Sequence, residues 1–260
     1  MAINKESNLY TIIFATIMVV LVGGLLAFLS ISLKPAQQAN MQNEKKQNII
    51  QATGFVPKSE VSRDGAKELF DKYVIQRLTI NYKGVVVFNS LGADGKNVAI
   101  DTKNPLEAFN IEPRKQYRGV EDVDMLYPIF VCKNGDKIAY VVSCSGKGLW
   151  DDIWGYIGIA DDGNHIIAAK FDHKGETAGL GSVINEAKFQ DQFNKDQGRQ
   201  LEGPDGNFKG ISVVKPGSVD LGANSVDGLS GATFTGNGVG DMLNAYLKVY
   251  SKYFKIAIKD

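Results

Sequence analysis

Cysteine and histidine are scarce in this 260-residue chain, at two each. Cys132 and Cys144 are too few for a structural zinc set, and neither His165 nor His173 has a Cys, Asp or Glu partner at ligand spacing. No metal is therefore expected. The cysteines flank an expected hairpin whose turn, Asn134-Gly135, would not bring them opposite one another, so two buried thiols are expected rather than a disulfide. Net charge is also lacking, since 29 Lys+Arg balance 29 Asp+Glu, and no basic field for nucleic acid results. There is no internal repeat, P-loop, Gly-x-Ser-x-Gly elbow or paired-acid signature, which removes the common hydrolytic chemistries. The glycines of Gly236-Asn237-Gly238-Val239-Gly240 lie inside the start of a helix rather than after a strand, so direct NADH binding is not expected.

What is present begins with a long apolar run. Leu9 to Leu33 carries no charge, and at helical rise it spans roughly 37 Å, enough to cross a bilayer. A cleaved signal peptide would have a shorter apolar core, so an uncleaved anchor over residues 1–35 is expected. Lys5 precedes the run and Lys34-Pro35 ends it. Charge counting gives Lys5 on one side and Lys34, Lys45 and Lys46 on the other, which leaves topology open. A short tail before a long domain places that domain outside the cell membrane.

Residues 36–54 are Gln/Asn-rich and read as a stalk helix or linker, and 55–125 as an extension of the soluble domain. Ala66, Leu69, Phe70, Tyr73 and Val74 share a helical face within Ser62 to Arg77, and Thr79 to Leu91 is strand-like. Asn104-Pro105 and Glu112-Pro113 break an irregular stretch over 92–118. From Tyr127 two hairpins are expected, one turning at Asn134-Gly135 and one at Asp161-Asp162-Gly163-Asn164. An amphipathic helix follows over Asn185 to Gln197, then a short strand over Gly210 to Val214. Strands mixed with packed helices predict an α+β domain over 126–260.

The stretch that organises the chain is Asp227-Gly228-Leu229-Ser230-Gly231-Ala232-Thr233-Phe234-Thr235. Two glycines make a tight turn, and Ser230, Thr233 and Thr235 supply three hydroxyls. Val239, Met242, Leu243, Tyr246, Leu247 and Tyr250 behind them have helical spacing. The hydroxyls thus sit at a helix N-terminus, where free N–H groups and the helix dipole favour phosphate. Spacing alone is that of an ordinary Ser/Thr cap after a glycine turn.

The string itself resembles the flavinylation motif of the FMN-binding domain family, Asp-x-x-Ser/Thr-Gly-Ala-Thr, at Asp227, Ser230, Gly231, Ala232 and Thr233. The resemblance implies covalent FMN, joined by a phosphoester to Thr233 and installed by a separate Mg²⁺-dependent flavin transferase. Glu176-Thr177-Ala178-Gly179-Leu180-Gly181 is similar to the family's Glu-Thr-Pro-Gly-Leu-Gly segment, with Ala178 in place of Pro. It implies that Glu176, Thr177, Gly179, Leu180 and Gly181 contact the cofactor, Thr177 through ribityl or phosphate and Leu180 over the ring. Trp150, in a string whose register Asp151-Asp152-Ile153 displaces, is the stacking candidate, with core packing as the alternative. The Lys215 ammonium is placed to neutralise phosphate or flavin, or is simply solvated.

The layout of one anchor, about 90 intervening residues and a C-terminal flavin domain resembles the NqrC family, found in the bacterial sodium-translocating NADH:quinone oxidoreductases. The corresponding electron-transfer flavoprotein of the Rnf complex is shorter between anchor and flavin domain. The resemblance implies an electron relay within a six-subunit inner-membrane complex, with the flavin domain in the periplasm and NADH, FAD and quinone on other subunits. A membrane-tethered binding module without a redox role is the reading from a different class.

Overall fold

A computed structural model describes residues 7–218 and 221–258; Lys5 lies outside the described residues. The chain divides into two compact units, Met1–Lys45 and Lys46–Asp260. The first is occupied by α1 (Asn8–Ala52), whose last turns belong to the second unit. The apolar side chains of α1 from Leu9 to Leu33 face outward without protein cover, as in a membrane anchor. The helix does not stop at Lys34-Pro35 but runs through Pro35. An internal proline forfeits one backbone hydrogen bond, and the Ala/Gln-rich sequence behind it favours continued helix. Residues 36–52 are therefore helical, and Ile49, Ile50 and Ala52 are core of the second unit.

The second unit is built on a six-stranded antiparallel sheet in the order β2-β1-β3-β4-β5-β6. The strands are β1 (Val74–Ile80), β2 (Val86–Asn89), β3 (Tyr127–Asn134), β4 (Lys137–Lys147), β5 (Asp152–Ala160) and β6 (Ile166–His173). Strands from 55–125 and from 126–260 thus share one sheet. Both expected hairpins form, with Gly158 opposite Ala168 in the second; in the first, Asn134 pairs with Lys137, so the turn is Gly135-Asp136, one residue beyond the expected Asn134-Gly135. Cys132 faces Ala139 and Cys144 faces Gly155; both thiols are free and buried.

Three local expectations change. The helix expected over Ser62 to Arg77 is only α2 (Ala66–Tyr73). Val74 onward becomes strand because β-branched residues fit a pleated surface and pair with β3, Arg77 opposite Phe130 and Leu78 opposite Ile129. The strand expected over Thr79 to Leu91 is a hairpin instead: the Asn81 side chain accepts from the N–H groups of Lys83 and Val85 at 3.0 and 3.1 Å and turns the chain from β1 into β2. The helix expected over Asn185 to Gln197 is α4 (Ala187–Gln190) followed by two 3₁₀ turns, interrupted by Asn194 in an extended conformation. Its apolar purpose survives, since Phe189 and Phe193 pack on Phe171 with ring centroids 5.7 and 5.1 Å apart.

Both faces of the sheet are covered, which is why the central strands read as nearly continuous apolar runs. On one face Val142, Cys144 and Ile157 pack with Val239, Leu243, Tyr246 and Tyr250 of the C-terminal helix α5 (Thr233–Ala257). The Tyr250 hydroxyl shares its one proton between the Pro128 and Ser143 carbonyls, 3.1 and 3.0 Å away, so its burial leaves no orphan. On the other face Ile49, Ile50, Phe70 and Phe109 pack with Phe130, Val141 and Tyr156. A short α3 (Pro113–Gln116) and a parallel pair, β7 (Ser212–Val214) with β8 (Ser225–Asp227), complete the unit. The β7–β8 pair delivers the chain to the start of α5.

Candidate functional site

The turn between β8 and α5 is held from below and presented from above. The Asp227 N–H donates to Gln192 Oε1 at 2.6 Å and its carbonyl accepts from Gln192 Nε2 at 3.2 Å. The Asp227 carboxylate accepts from the N–H groups of Gly217 and Gly228 at 2.8 and 3.1 Å, pinning the loop that carries Lys215 to the turn. Leu229 and Ala232 are buried as anchors, whereas Ser230, Gly231 and Thr233 are exposed. Gly231 has φ +72°, a conformation most side chains resist.

Helix α5 begins at Thr233 with Ala232 in the capping position. No side chain caps it and no acidic residue occupies its first turn. The first backbone bond is from the Gly236 N–H to the Ala232 carbonyl at 3.0 Å. The N–H groups of Thr233, Phe234 and Thr235 therefore precede the helical ladder, at the positive end of a 25-residue helix. None of the three hydroxyls in the string serves as the expected cap.

Glu176 binds three segments into one wall. It is only 7% exposed. Its Oε2 accepts from the Thr235 hydroxyl at 2.6 Å, and its Oε1 accepts from the Trp150 N–H at 2.9 Å, with the Asp151 N–H at 3.4 Å. The Glu176 N–H in turn donates to His173 Nδ1 at 3.3 Å. Gly148 and Gly181 flank this carboxylate, and a Cβ at either would collide with it. Thr235 is buried and its hydroxyl is committed to this bond.

Several apolar side chains on the Thr233 turn and on the segments joined by Glu176 face solvent. Trp150 is 68% exposed, and Leu180 lies 3.0 Å from where a Gly231 Cβ would stand. Phe234 is 71% exposed, and Leu149 is also exposed. Phe234 was not singled out in the sequence, though it falls off the buried stripe of α5, and an apolar residue on the polar side of an amphipathic helix is a usable signal. Thr177 and Gly179 are exposed in a turn closed by the Thr177 carbonyl, which accepts from Leu180 and Ser182 at 3.1 and 3.2 Å.

The Trp150 loop is steadied by charge from the side. Lys174 pairs with Asp151 at 3.0 Å, Arg118 pairs with Asp151 and Asp152, and Tyr117 donates to Asp152. The Lys174 ammonium holds the Asp151 carboxyl below the usual carboxylate range. The residues Asp151-Asp152 that displace the loop's register thus tie it to Tyr117 and Arg118. Trp154, the other tryptophan, lies instead under the Arg114 guanidinium, 4.0 Å from its ring centroid.

Comparison with known proteins places these features in a family. The profile described as "FMN-binding domain" matches residues 148–248, which spans the Trp150 loop, Glu176 and the start of α5. The NqrC subunit of the Na(+)-translocating NADH-quinone reductase of Vibrio campbellii is 30% identical over 81% of this chain and 79% of its own length. The Vibrio anguillarum counterpart is 28% identical over 92% of this chain and 90% of its length. The crystal structure of the same subunit from Parabacteroides distasonis, 30% identical, superposes with a TM-score of 0.68 over 85% of this chain and 96% of that one.

Proposed function

This chain belongs to the NqrC family of Na⁺-translocating NADH-quinone reductase subunits, and from that premise we propose that it relays electrons through an FMN held covalently on Thr233. The observation that carries the reading is the uncapped start of α5 with Thr233 exposed at its first position. Bound flavin supplies the electron-accepting and electron-donating chemistry; the protein supplies attachment, orientation and electrostatics.

The Thr233 hydroxyl oxygen would bond to the flavin phosphorus as its proton leaves and as the bond from that phosphorus to its previous oxygen substituent breaks, so that relative to free FMN one water is lost overall and a phosphate diester results. The neighbouring N–H groups of Phe234 and Thr235, with the helix dipole, favour the remaining negative charge. Lys215, on the loop pinned to Asp227, adds a cation beside the same turn. Gly231 and Ser230 leave the approach to Thr233 open, while Ala232 anchors the turn from the buried side. Leu180, Trp150 and Phe234 offer apolar and aromatic faces to the ring. Thr177 and the backbone of Gly179 and Gly181 line the side that the ribityl chain would follow. The Thr235 hydroxyl is committed to Glu176, so Thr235 positions that carboxylate rather than contacting phosphate. Asp227 shapes the turn that the flavin transferase must recognise.

The anchor in α1 fits a single-pass protein of the bacterial inner membrane with this domain on the periplasmic side. Its partners would be the other subunits of a six-subunit complex, which bind NADH and quinone. A covalent link keeps the cofactor in place in a site this open to water. The test is a denaturing gel of the purified chain. Flavin fluorescence should migrate with the wild-type band and vanish for Thr233→Ala while the variant still folds. Retention of fluorescence in that variant would move the attachment to Ser230 or another hydroxyl.

A further inference from the structure

Away from the flavin motif, the second unit carries a groove of about 650 Å³ between α2, the open end of β1 and residues 95–100. That volume lies within the usual range for ligand sites of about 300–1,000 Å³. Its charge is one-sided: Lys46, Lys67, Lys72 and Lys96 line it, and Asp71 is the sole carboxylate among the lining residues. The chain as a whole is neutral, so this is a local concentration of positive charge.

The groove is also built rather than incidental. Arg77 lies under it, paired with Glu107 at 2.8 Å and hydrogen-bonded to Asn97 Oδ1 and the Val98 carbonyl at 2.8 and 2.9 Å. The guanidinium is thus neutralised, and it fixes the wall formed by Asn97 and Val98. At the base Lys46 is 9% exposed, with its ammonium 5.5 and 5.6 Å from the ring centroids of Phe70 and Phe109. Burial pulls its pKa down, Asp71 pulls it up, and Lys67 adds to the lowering. An ammonium placed this way gains from an added carboxylate. Ile75 and Val98 add exposed apolar surface between the lysines.

We propose that this groove seats an acidic peptide segment, carrying at least one apolar side chain, from another subunit of the reductase complex. A small metabolite would be mostly enclosed by its site, whereas lysines spread along an open groove match carboxylates spread along a chain. Ile75 and Val98 take the apolar side chain. Pre-fixing of the far wall by Arg77 lowers the ordering cost of binding. The proposal rests on membership of the NqrC family and is independent of how FMN is attached.

The test compares wild-type full-length chain with the Lys67→Glu/Lys72→Glu/Lys96→Glu variant, each expressed with the rest of the complex. Retention of the chain on the purified complex after a raised-salt wash should fall about tenfold in the variant, while its melting temperature and flavin content stay at wild-type values. Hydrogen exchange over residues 67–77 and 95–100 should slow in the assembled complex relative to the free chain. If the variant misfolds, the exchange comparison on wild-type protein decides alone. Unchanged retention in a folded variant, or unchanged exchange on assembly, overturns the proposal. Loss of binding to anionic phospholipid vesicles with retention intact would overturn it in favour of a lipid surface. Absence of covalent flavin in otherwise retained wild-type chain would count against the Thr233 assignment and leave the groove standing.

Discussion

Replacing Glu176 separates a solvated loop acid from a residue that holds the site together. Its two carboxylate oxygens accept from the Thr235 hydroxyl at 2.6 Å and the Trp150 N–H at 2.9 Å, at a position 7% exposed. Hydrogen bonds to a charged group contribute about 1.5–3 kcal/mol each, and stranding a buried donor costs about 1–3 kcal/mol. Glu176→Ala strands both donors and should destabilise the second unit by about 3–5 kcal/mol. Glu176→Gln has nearly the same shape. Its carbonyl can still accept from Trp150, and its amide can donate to a rotated Thr235 hydroxyl, so the loss should be about 1–2 kcal/mol. Urea unfolding of the full chain in detergent measures both values. Hydrogen exchange at the Trp150 amide, which donates to Glu176, reports whether the loop has loosened, and its rate should follow the same order, Ala above Gln above wild type. In the flavinylated protein Glu176→Gln should also raise the FMN midpoint potential, because removing a nearby negative charge eases electron addition. A Glu176→Ala protein within about 0.5 kcal/mol of wild type, the range of ordinary surface substitutions, would refute the reasoning.

Cys132 and Cys144 should resist thiol reagents in the native protein at neutral pH and both react on unfolding, because burial pushes Cys144 up from 9.0 to about 12 and Cys132 higher still. Their folded-state pKa values are raised, so the associated stability is intact below about pH 9 and declines toward pH 12, by about 1.4 kcal/mol per pH unit per thiol. The decline should shrink in Cys144→Ala, and a pH profile identical to wild type would contradict it. A chain beginning near Met41 should be soluble without detergent and keep the second unit's melting temperature, since Ile49, Ile50 and Ala52 remain to fill the core. N-terminal sequencing of the mature protein that begins near residue 37 would contradict the anchor.

The sequence was most readable where local chemistry alone decides the structure. The hairpin turns around Gly135 and Gly163, the apolar stripe of α5 and the uncharged run of α1 each need only neighbouring residues to specify them. It was least readable where distant partners decide. Val74 continues the helical face of Ala66, Phe70 and Tyr73, and only pairing with β3 turns it into strand. At the site, the string from Asp227 to Thr233 located the turn, but nothing local to Glu176 indicates that its carboxylate closes on Thr235, 59 residues away. Exposure was hidden for the same reason. Thr233 and Thr235 have the same chemistry two residues apart, and only the packing of α5 leaves one open and the other buried.

The measurement closest to the central claim is peptide mass spectrometry of the protein purified from a host that contains the flavin transferase. The account predicts a single modified peptide heavier by FMN less one water, with fragmentation placing the addition on Thr233. Modification on Ser230 or Thr235, or an unmodified peptide from protein that carries flavin by dissociable binding, would contradict it.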